Sequence, residues 1–234
     1  MGETQQRPKL TGGRGCLERL RGRLIVSCQP VVGGPLDSAE FVAAMALAAI
    51  AGGAAGLRIE GLKNLRAVRR ATDVPIIGLV KRAEPATDVF ITPRPEDVFA
   101  LREAGADIVA FDATRRARPA PVAALVAAAH AAGALAMADL ASEGDAGPAI
   151  SAGVDILGTT LSGYTGGEVP EAPDLPLVAA LARLGAPVFA EGRYRTPEQA
   201  EKAIAAGATA VVVGSAITRV EHITSWFAEA VRRG

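Results

Sequence analysis

Three ionisable residues in this sequence directly follow short apolar stretches that have the character of buried strands. Lys81 comes after residues 76–80, Asp139 after 135–138 and Glu191 after 187–190. A cation at the end of a buried strand loses hydration, which is costly, so Lys81 needs a chemical reason to be there. Lysine and glutamate are side chains that transfer protons in enzymes. In a chain that alternates strand and helix, chemistry is expected where strands run into the following loops, so these three residues are candidates for a site at that edge.

Other polar residues occupy equivalent strand-end positions. They are Gln29, Arg58, Glu60, Asp112, Thr159 and Thr160. Where the chain alternates between strand and helix, such residues meet at the carboxyl edge of the sheet, where ligands bind. Glu60 and Asp112 have an alternative interpretation: their side chains only cap the start of the helix that follows.

Glycines after the last two strands indicate an anion site. Gly192 and Gly214 let the backbone approach a ligand closely, and the residues after Gly214 can form a short helix with free N–H groups. Arg219 lies about one turn further on and can bond phosphate oxygens. Phosphate binding by the seventh and eighth loops recurs in (β/α)₈ barrels. The alternative is that both glycines only form tight turns.

The two histidines fall within predicted helices rather than at strand ends. His130 lies inside one helix and His222 at the start of the last one, so we expect both on the surface or in packing. A metal held by histidines is therefore not expected. Magnesium held by carboxylates stays open as an alternative.

A repeated junction organises the whole chain: a helical stretch ends at glycine and a short apolar strand follows. It occurs around Gly53, Gly105, Gly133, Gly153, Gly185 and Gly207, and residues 72–76 make a seventh junction. Seven junctions and an initial strand give eight strands. Strict alternation with short connections predicts parallel strands joined by right-handed crossovers.

The expected fold is a (β/α)₈ barrel, or TIM barrel, in a single domain. The predicted strands are 24–29, 56–60, 75–81, 107–112, 134–139, 154–160, 187–191 and 209–214. The predicted helices are 38–51, 62–72, 95–104, 119–132, 143–152, 174–184, 197–206 and 221–232. The competing architecture, a doubly wound open sheet, would carry a glycine-rich dinucleotide turn after its first strand, and residues 29–34 lack that fingerprint.

The domain prediction divides the chain at residue 16. Residues 1–15 are polar and glycine-rich and are expected to be a flexible extension, with the barrel covering 16–234. A short helix within residues 12–22 is expected to cover the lower end of the barrel. No linker or second domain is predicted.

Composition limits the partners and the compartment. The 25 basic and 25 acidic residues give a formal net charge of zero, so neither nucleic acid nor an anionic membrane is an expected partner. Cys16 and Cys28 are expected to be free thiols in a reducing compartment. Without an apolar signal segment or a spanning run, we expect a cytoplasmic protein.

Nine segments at or near the strand ends carry a resemblance to known proteins. They are LIVSCQ (24–29), GLRIEG (56–61), VPIIGLVKR (74–82), DVFITP (88–93), AFDATRRARP (110–119), AMADLAS (136–142), GTTLSGYTG (158–166), AEGRYRTPEQA (190–200) and VVGSAITR (212–219). Together they resemble the N-acetylmannosamine-6-phosphate 2-epimerases of bacterial sialic acid catabolism. VGSAIT alone occurs in other phosphate-binding barrels. The lysine strand, GTTLSGYT and AEGR together are more specific, and the resemblance runs from about residue 20 to the C-terminus.

The resemblance implies interconversion of N-acetylmannosamine 6-phosphate and N-acetylglucosamine 6-phosphate, with no organic cofactor and no metal. It implies that Lys81 transfers the proton and that Glu191 is its carboxylate partner. The remaining residues that it places in the site divide by role. Gln29, Arg58 and Asp139 are implied to orient the sugar, Thr160 and Tyr164 to line the pocket, and Gly192, Arg193, Gly214, Ser215 and Arg219 to hold the phosphate.

The resemblance also implies a homodimer, and the C-terminal helix containing Trp226 is the expected contact. Two other functions stay open from the sequence. One is an aldolase in which Lys81 forms a Schiff base with a phosphosugar. The other is a non-catalytic sugar-phosphate sensor, which would be expected to lose Lys81 or Glu191, although both are present. A zinc-dependent pentose-phosphate epimerase is disfavoured because no histidine ends a strand.

Overall fold

Eight parallel strands close into a barrel in sequence order in the computed structural model, which describes residues 12–233. The strands are β1 (Arg23–Cys28), β2 (Gly56–Glu60), β3 (Ile76–Leu79), β4 (Ile108–Asp112), β5 (Leu135–Asp139), β6 (Ile156–Gly158), β7 (Val188–Glu191) and β8 (Ala210–Val213). Pairing of β1 with β8 completes the closure. The predicted (β/α)₈ barrel is confirmed.

One helix precedes the first strand, and the others follow the strands around the outside of the barrel. They are α1 (Gly12–Leu20), α2 (Ala39–Ala51), α3 (Leu62–Ala71), α4 (Pro95–Ala104), α5 (Val122–Ala131), α6 (Ala146–Ser151), α7 (Leu175–Ala182), α8 (Pro197–Ala205), α9 (Ser215–Thr218) and α10 (Val220–Arg233). A 3₁₀ turn, Glu143–Asp145, leads into α6. Within residues 12–233, no helix is long and apolar enough to cross a membrane.

Alternation along the strands divides the apolar residues between two cores. Inward residues such as Ile77, Met137 and Phe189 fill the barrel, while outward residues such as Ile76 and Phe111 pack under the helices. The side chains alternate because successive residues of a strand point to opposite faces. Small aliphatic residues let the helices approach closely, which gives the strand ends a rigid frame.

Helix α1 covers the lower end of the barrel, as the sequence predicts for residues 12–22. Leu20 is fully buried and Cys16 is almost fully buried against the inner core. Residues 12–15 are helical in α1, so the predicted flexible extension does not include them. The rest of that extension, residues 1–11, lies outside the described residues.

Candidate active site

The ends of the strands surround one cavity of about 580 Å³, within the size range of small-molecule sites. It lies at the carboxyl edge, where (β/α)₈ barrels place their chemistry. The predicted site residues that line it are Gln29, Arg58, Lys81, Thr160, Tyr164, Glu191, Gly192, Arg193, Gly214, Ser215 and Arg219. Asp139 is not among them, because it is fully buried beneath the cavity floor.

Lys81 lies two residues beyond β3, on a segment held by backbone pairing. It forms an antiparallel bridge with Ile91, and the backbone N–H of Thr92 donates to the carbonyl of Val80 at 2.8 Å. Thr92 is fully buried and has a φ of 44°, which is strained for a β-branched residue. Strained backbone of this kind tends to be retained at functional sites. Here the strained residue, Thr92, belongs to the segment that pairs with the chain around Lys81.

The Lys81 ammonium faces the cavity among groups of both signs. Desolvation lowers the pKa of Lys81 below its ordinary value, Glu60 opposes this shift, and Arg219 and Arg58 add to it. Glu60 lies next to this residue, since its carboxylate accepts the backbone N–H of Lys81 at 3.4 Å. A lowered pKa makes the neutral amine, which can accept a proton, more abundant at neutral pH.

A buried arginine joins the ends of β2, β5 and β7. Arg58 is 1% exposed; its Nη2 donates to Asp139 Oδ2 at 2.7 Å and its Nη1 lies 3.0 Å from Glu191 Oε2. Burial lowers the pKa of Arg58, but Asp139 and Glu191 outweigh that effect and raise it above its ordinary value. The guanidinium is therefore a permanent cation that holds both carboxylates in place.

Glu191 is poised to exchange a proton near neutral pH. Its side chain is 14% exposed. Desolvation raises the pKa of Glu191 to about 7, the charge of Asp139 adds to the rise, and Arg58, Thr160 and Lys81 oppose it. A carboxyl group tuned in this way suits general acid–base catalysis, which works best when the pKa lies near the operating pH.

Asp112 ends the neighbouring strand β4 but belongs to a sealed structural cluster. It is fully buried, and its Oδ1 accepts from the N–H of Thr114 at 2.9 Å and from the Thr114 hydroxyl at 2.7 Å. Arg116 and Arg118 form ion pairs with the same carboxylate. All these donors come from the loop that follows β4, so the structure favours the local, structural interpretation of Asp112.

The chain after β7 and β8 combines left-handed backbone with cationic charge at the cavity. Gly192 has a φ of 114°, and the next residue, Arg193, has a φ of 62°. Arg219 donates from Nε to the carbonyl of Gln29 at 2.9 Å, and no other hydrogen bond of its guanidinium is formed within residues 12–233. Its remaining N–H groups are therefore free to bind a ligand.

The charge of the lining is unbalanced, although the chain as a whole is neutral. One carboxylate, Glu191, lines the cavity within the described residues. The cationic side chains of the lining are Arg58, Lys81, Arg193, Arg195 and Arg219. The cavity therefore suits an anionic ligand, as expected for a phosphorylated one.

Comparison with known proteins gives a consistent assignment. Residues 42–233 match a protein family described as "Putative N-acetylmannosamine-6-phosphate epimerase". A relative from Yersinia pseudotuberculosis serotype O:3 (strain YPIII), described as "Putative N-acetylmannosamine-6-phosphate 2-epimerase", is 58% identical over 215 residues, which cover 92% of each chain.

The chain belongs to the N-acetylmannosamine-6-phosphate epimerase family.

A solved structure of the family has the same architecture. The N-acetylmannosamine-6-phosphate 2-epimerase from Clostridium perfringens is 37% identical, with a TM-score of 0.90 over 98% of this chain and 100% of that one. Deoxyribose phosphate aldolase from Aeropyrum pernix has a TM-score of 0.62 at 19% identity over 92% of this chain and 100% of that one. That second likeness shows the barrel fold alone.

One prediction for this epimerase-family chain is wrong. His222, expected on the surface or in packing away from the mouth, lines the cavity together with Trp226. The reason is that α9 turns the chain after β8, and His222 and Trp226, four residues apart on α10, then share the helical face that borders the cavity. Trp226 also stacks under Arg195, whose guanidinium lies 4.8 Å from the ring centroid. His130 is exposed and lies 2.9 Å from Asp155, away from the cavity.

The cavity also has an apolar wall that the sequence analysis does not predict. Leu79, Phe90, Ile91 and Leu161 line it beside Lys81. Leu79 could have been found, because it lies two residues before Lys81 and therefore on the same face of its strand. Phe90 belongs to a loop, and no periodicity indicates where it points.

Arg193 contributes differently from a simple phosphate ligand. Its Nε donates to the carbonyl of Ala172 at 2.7 Å, its Nη1 donates to the carbonyl of Ser162, and its guanidinium lies 5.5 Å from the centre of the Tyr164 ring. It therefore fastens the loop between β6 and α7 over the cavity, while its side chain still forms part of the lining.

Residues 12–233 contain no group of three or more histidine, cysteine, aspartate or glutamate side chains arranged to hold a metal ion. Cys16 and Cys28 are free and buried, and desolvation raises the pKa of each thiol to about 12. The expectation that the reaction of this family member needs neither metal nor organic cofactor stays a prediction.

Proposed function

We propose that this chain interconverts N-acetylmannosamine 6-phosphate and N-acetylglucosamine 6-phosphate by moving the proton at C2. Membership of the epimerase family carries the proposal, together with relatives that are named as 2-epimerases. The cavity supports it independently, since a lysine of lowered pKa and a glutamate of raised pKa face the same space.

The proposed chemistry needs only proton transfer. In the open-chain sugar, the C2–H bond lies beside the aldehyde. A base takes the proton, the C–H electron pair enters an enolate, and a proton returns to C2 on the opposite face. We assign these transfers to Lys81 and Glu191; positioned groups of this kind contribute about 10²–10⁴-fold. Cationic groups near the developing enolate oxygen lower the barrier further.

The remaining lining suits the rest of the substrate. Arg219, Ser215 and the backbone at Gly192 and Gly214 offer donors for the phosphate, with Arg193 nearby. Gln29, Arg58, Thr160 and Tyr164 are the proposed pocket groups around the sugar. The apolar wall of Leu79, Phe90, Ile91 and Leu161 suits the methyl of an acetyl group. Asp139 would act on the sugar only through Arg58 and Thr160, because it does not line the cavity.

The proposal is tested by incubating N-acetylmannosamine 6-phosphate with the protein in D₂O and following the reaction by NMR. We expect the gluco epimer to form with deuterium at C2, and Lys81→Ala to abolish the conversion. Arg82→Ala is the matched control, because Arg82 is the next residue, pairs with Asp97 and does not line the cavity. A wild-type protein that produces no gluco epimer would refute the proposal.

Trapping a Schiff base on Lys81 with borohydride distinguishes the aldolase mechanism from the epimerase mechanism. The lowered pKa of Lys81 is the feature that also suits an amine nucleophile. Borohydride added with the substrate should leave Lys81 unmodified if the lysine only transfers protons. A stable adduct on Lys81 would favour the aldolase mechanism, and binding without any turnover would favour the sensor.

We also propose that the protein is a homodimer that contacts its partner copy through α10. Val220, Phe227 and Val231 are 56%, 70% and 79% exposed. At about 100° per residue they share the face of α10 opposite to His222 and Trp226. Phe227→Asp should convert the dimer to a monomer in light scattering, and an unchanged mass would refute this assembly. A cytoplasmic location and the absence of nucleic-acid and membrane partners remain predictions.

A further inference from the structure

The two oxygens of the Glu191 carboxylate have different surroundings. Oε2 lies 3.0 Å from Nη1 of Arg58 and accepts from the Thr160 hydroxyl at 3.1 Å. Oε1 accepts no hydrogen bond within residues 12–233, and Glu191 lines the cavity. One oxygen is thus held by the protein, while the other is left for a ligand or a transferred proton.

Thr160 is placed where it contacts two carboxylates at once. Its hydroxyl lies 2.6 Å from Asp139 Oδ1 and 3.1 Å from Glu191 Oε2. A hydroxyl has one hydrogen to donate, so the two carboxylates compete for it. Arg58 Nη1 contacts the same two oxygens, at 3.2 Å and 3.0 Å.

The neighbouring residue, Thr159, explains why this contact forms. Its hydroxyl donates to the backbone carbonyl of Glu191 at 2.8 Å and accepts the backbone N–H of Glu191 at 3.0 Å. These two bonds fix the end of β6 against the end of β7. With the backbones locked in this way, Thr160 faces the side chain of Glu191.

We propose that Thr160 is a positioning residue that, with Arg58, occupies Oε2 and confines the transferable proton of Glu191 to Oε1. Asp139 is then a buried carboxylate that balances the charge of Arg58 and competes with Glu191 for the Arg58 and Thr160 donors. It does not touch the sugar. This inference rests on the proposed function only for its kinetic consequence. The position of the proton on Glu191 is a property of the protein alone.

Loss of the Thr160 hydroxyl should make ionised Glu191 less stable. Its hydrogen bond lowers the pKa of Glu191 against the larger effect of burial, which raises it. Thr160→Val has nearly the same volume as the wild-type residue. In this variant we expect the acidic limb of the pH profile of kcat/KM to move to higher pH by about 0.5–1 pH unit. Thr160→Ser keeps a hydroxyl and should restore the wild-type limb.

Thr114→Val is the matched control for a buried hydroxyl. Thr114 donates to Asp112 at 2.7 Å in a cluster that does not line the cavity. Thr114→Val should lower the free energy of unfolding and leave the acidic limb of the pH profile unchanged. If Thr160→Val leaves the limb unchanged, or if Thr160→Ser shifts it as much as Thr160→Val, the inference is wrong.

A titration without substrate separates this inference from the proposed function. Protein labelled with ¹³C at the glutamate carboxyl gives one signal for Glu191, assigned by its loss in Glu191→Gln. We expect its midpoint to rise in Thr160→Val and to return in Thr160→Ser. Wild-type protein that fails to epimerise would refute the function but leave this titration valid, while an unchanged midpoint in an active enzyme would refute the inference alone.

Discussion

Two clusters of carboxylates and arginines lie side by side at the carboxyl edge of the barrel and behave in opposite ways. Asp112 and Asp139 end adjacent strands and are register partners in the sheet. The cluster around Asp112 is closed by donors from its own loop. The cluster of Arg58, Asp139 and Glu191 draws its members from three different strands and borders the cavity.

The difference is one of charge balance. Asp112 has two arginines for one carboxylate, and all its bonds are local. Arg58 is one cation between two carboxylates. Burial and the charge of Asp139 raise the pKa of Glu191 against the opposing charge of Arg58, and one oxygen of Glu191 stays open. A buried carboxylate whose donors are complete stabilises a loop, whereas one whose donors fall short can take up a proton.

The largest expected effect is the loss of the reactive carboxylate. Glu191→Gln removes the exchangeable proton, and kcat should fall by about 10²–10⁴-fold. Steady-state kinetics on the purified variant measure this, with circular dichroism as the check on folding. A variant that keeps more than a tenth of wild-type kcat would show that Glu191 is not a proton-transfer group.

The same variant tests the raised pKa through stability. Folded Glu191 holds its proton up to about pH 7, whereas the unfolded chain releases it near about pH 4.3. The folded state binds more protons between these values, so this residue's contribution to stability declines as the pH rises through the window. The Tm of Glu191→Gln relative to wild type should therefore be higher at pH 8 than at pH 5. A difference that is independent of pH would contradict the raised pKa.

Breaking the cluster around Asp112 should reduce the stability of the protein rather than its activity. Asp112→Asn leaves Arg116 and Arg118 without their counter-charge, at a cost of about 3 kcal/mol in the free energy of unfolding. Urea denaturation measures this loss. The folded fraction should keep kcat/KM within about twofold, because Asp112 does not line the cavity. A large loss of kcat with unchanged stability would reverse the comparison.

Arg58→Lys should affect both stability and rate to a smaller degree. A lysine cannot bridge Asp139 and Glu191 with a planar fork, so we expect a loss of about 2 kcal/mol in the free energy of unfolding. The loss should be greater at pH 8 than at pH 5, because more carboxylate charge is then left poorly compensated. Thermal unfolding at the two pH values checks this, and equal losses would contradict the charge-balance explanation.

The smallest expected effect belongs to Glu60, the carboxylate that ends β2. Its charge raises the pKa of Lys81 against the stronger lowering by desolvation. Glu60→Gln should therefore lower the pKa of Lys81 further, while a single partly solvated charge changes kcat by no more than about threefold. The dependence of kcat/KM on pH measures this shift in the pKa of Lys81. A rise of that pKa in Glu60→Gln would contradict the role given to Glu60.

The sequence was sufficient for the fold and for most of the lining. The helix–glycine–strand junctions around Gly105 and Gly207 are local features, and they led to the eight strands of the barrel. Lys81 and Glu191 were found because a charge after an apolar strand is a local signal too. His222 was misplaced because the face that a helix turns to a cavity depends on how that helix packs.

The sequence by itself determined which segments form the strands and, to within two residues, where they end, since strand and helix periodicity act over a few residues. Only the tertiary structure decided which strand-end carboxylate is sealed and which is open. Asp112 finds its arginines within six residues, whereas Glu191 depends on Arg58, Asp139 and Thr160, which closure of the barrel brings to it. The pKa of Glu191, and with it the proposed proton transfer, is therefore a property of the closed barrel.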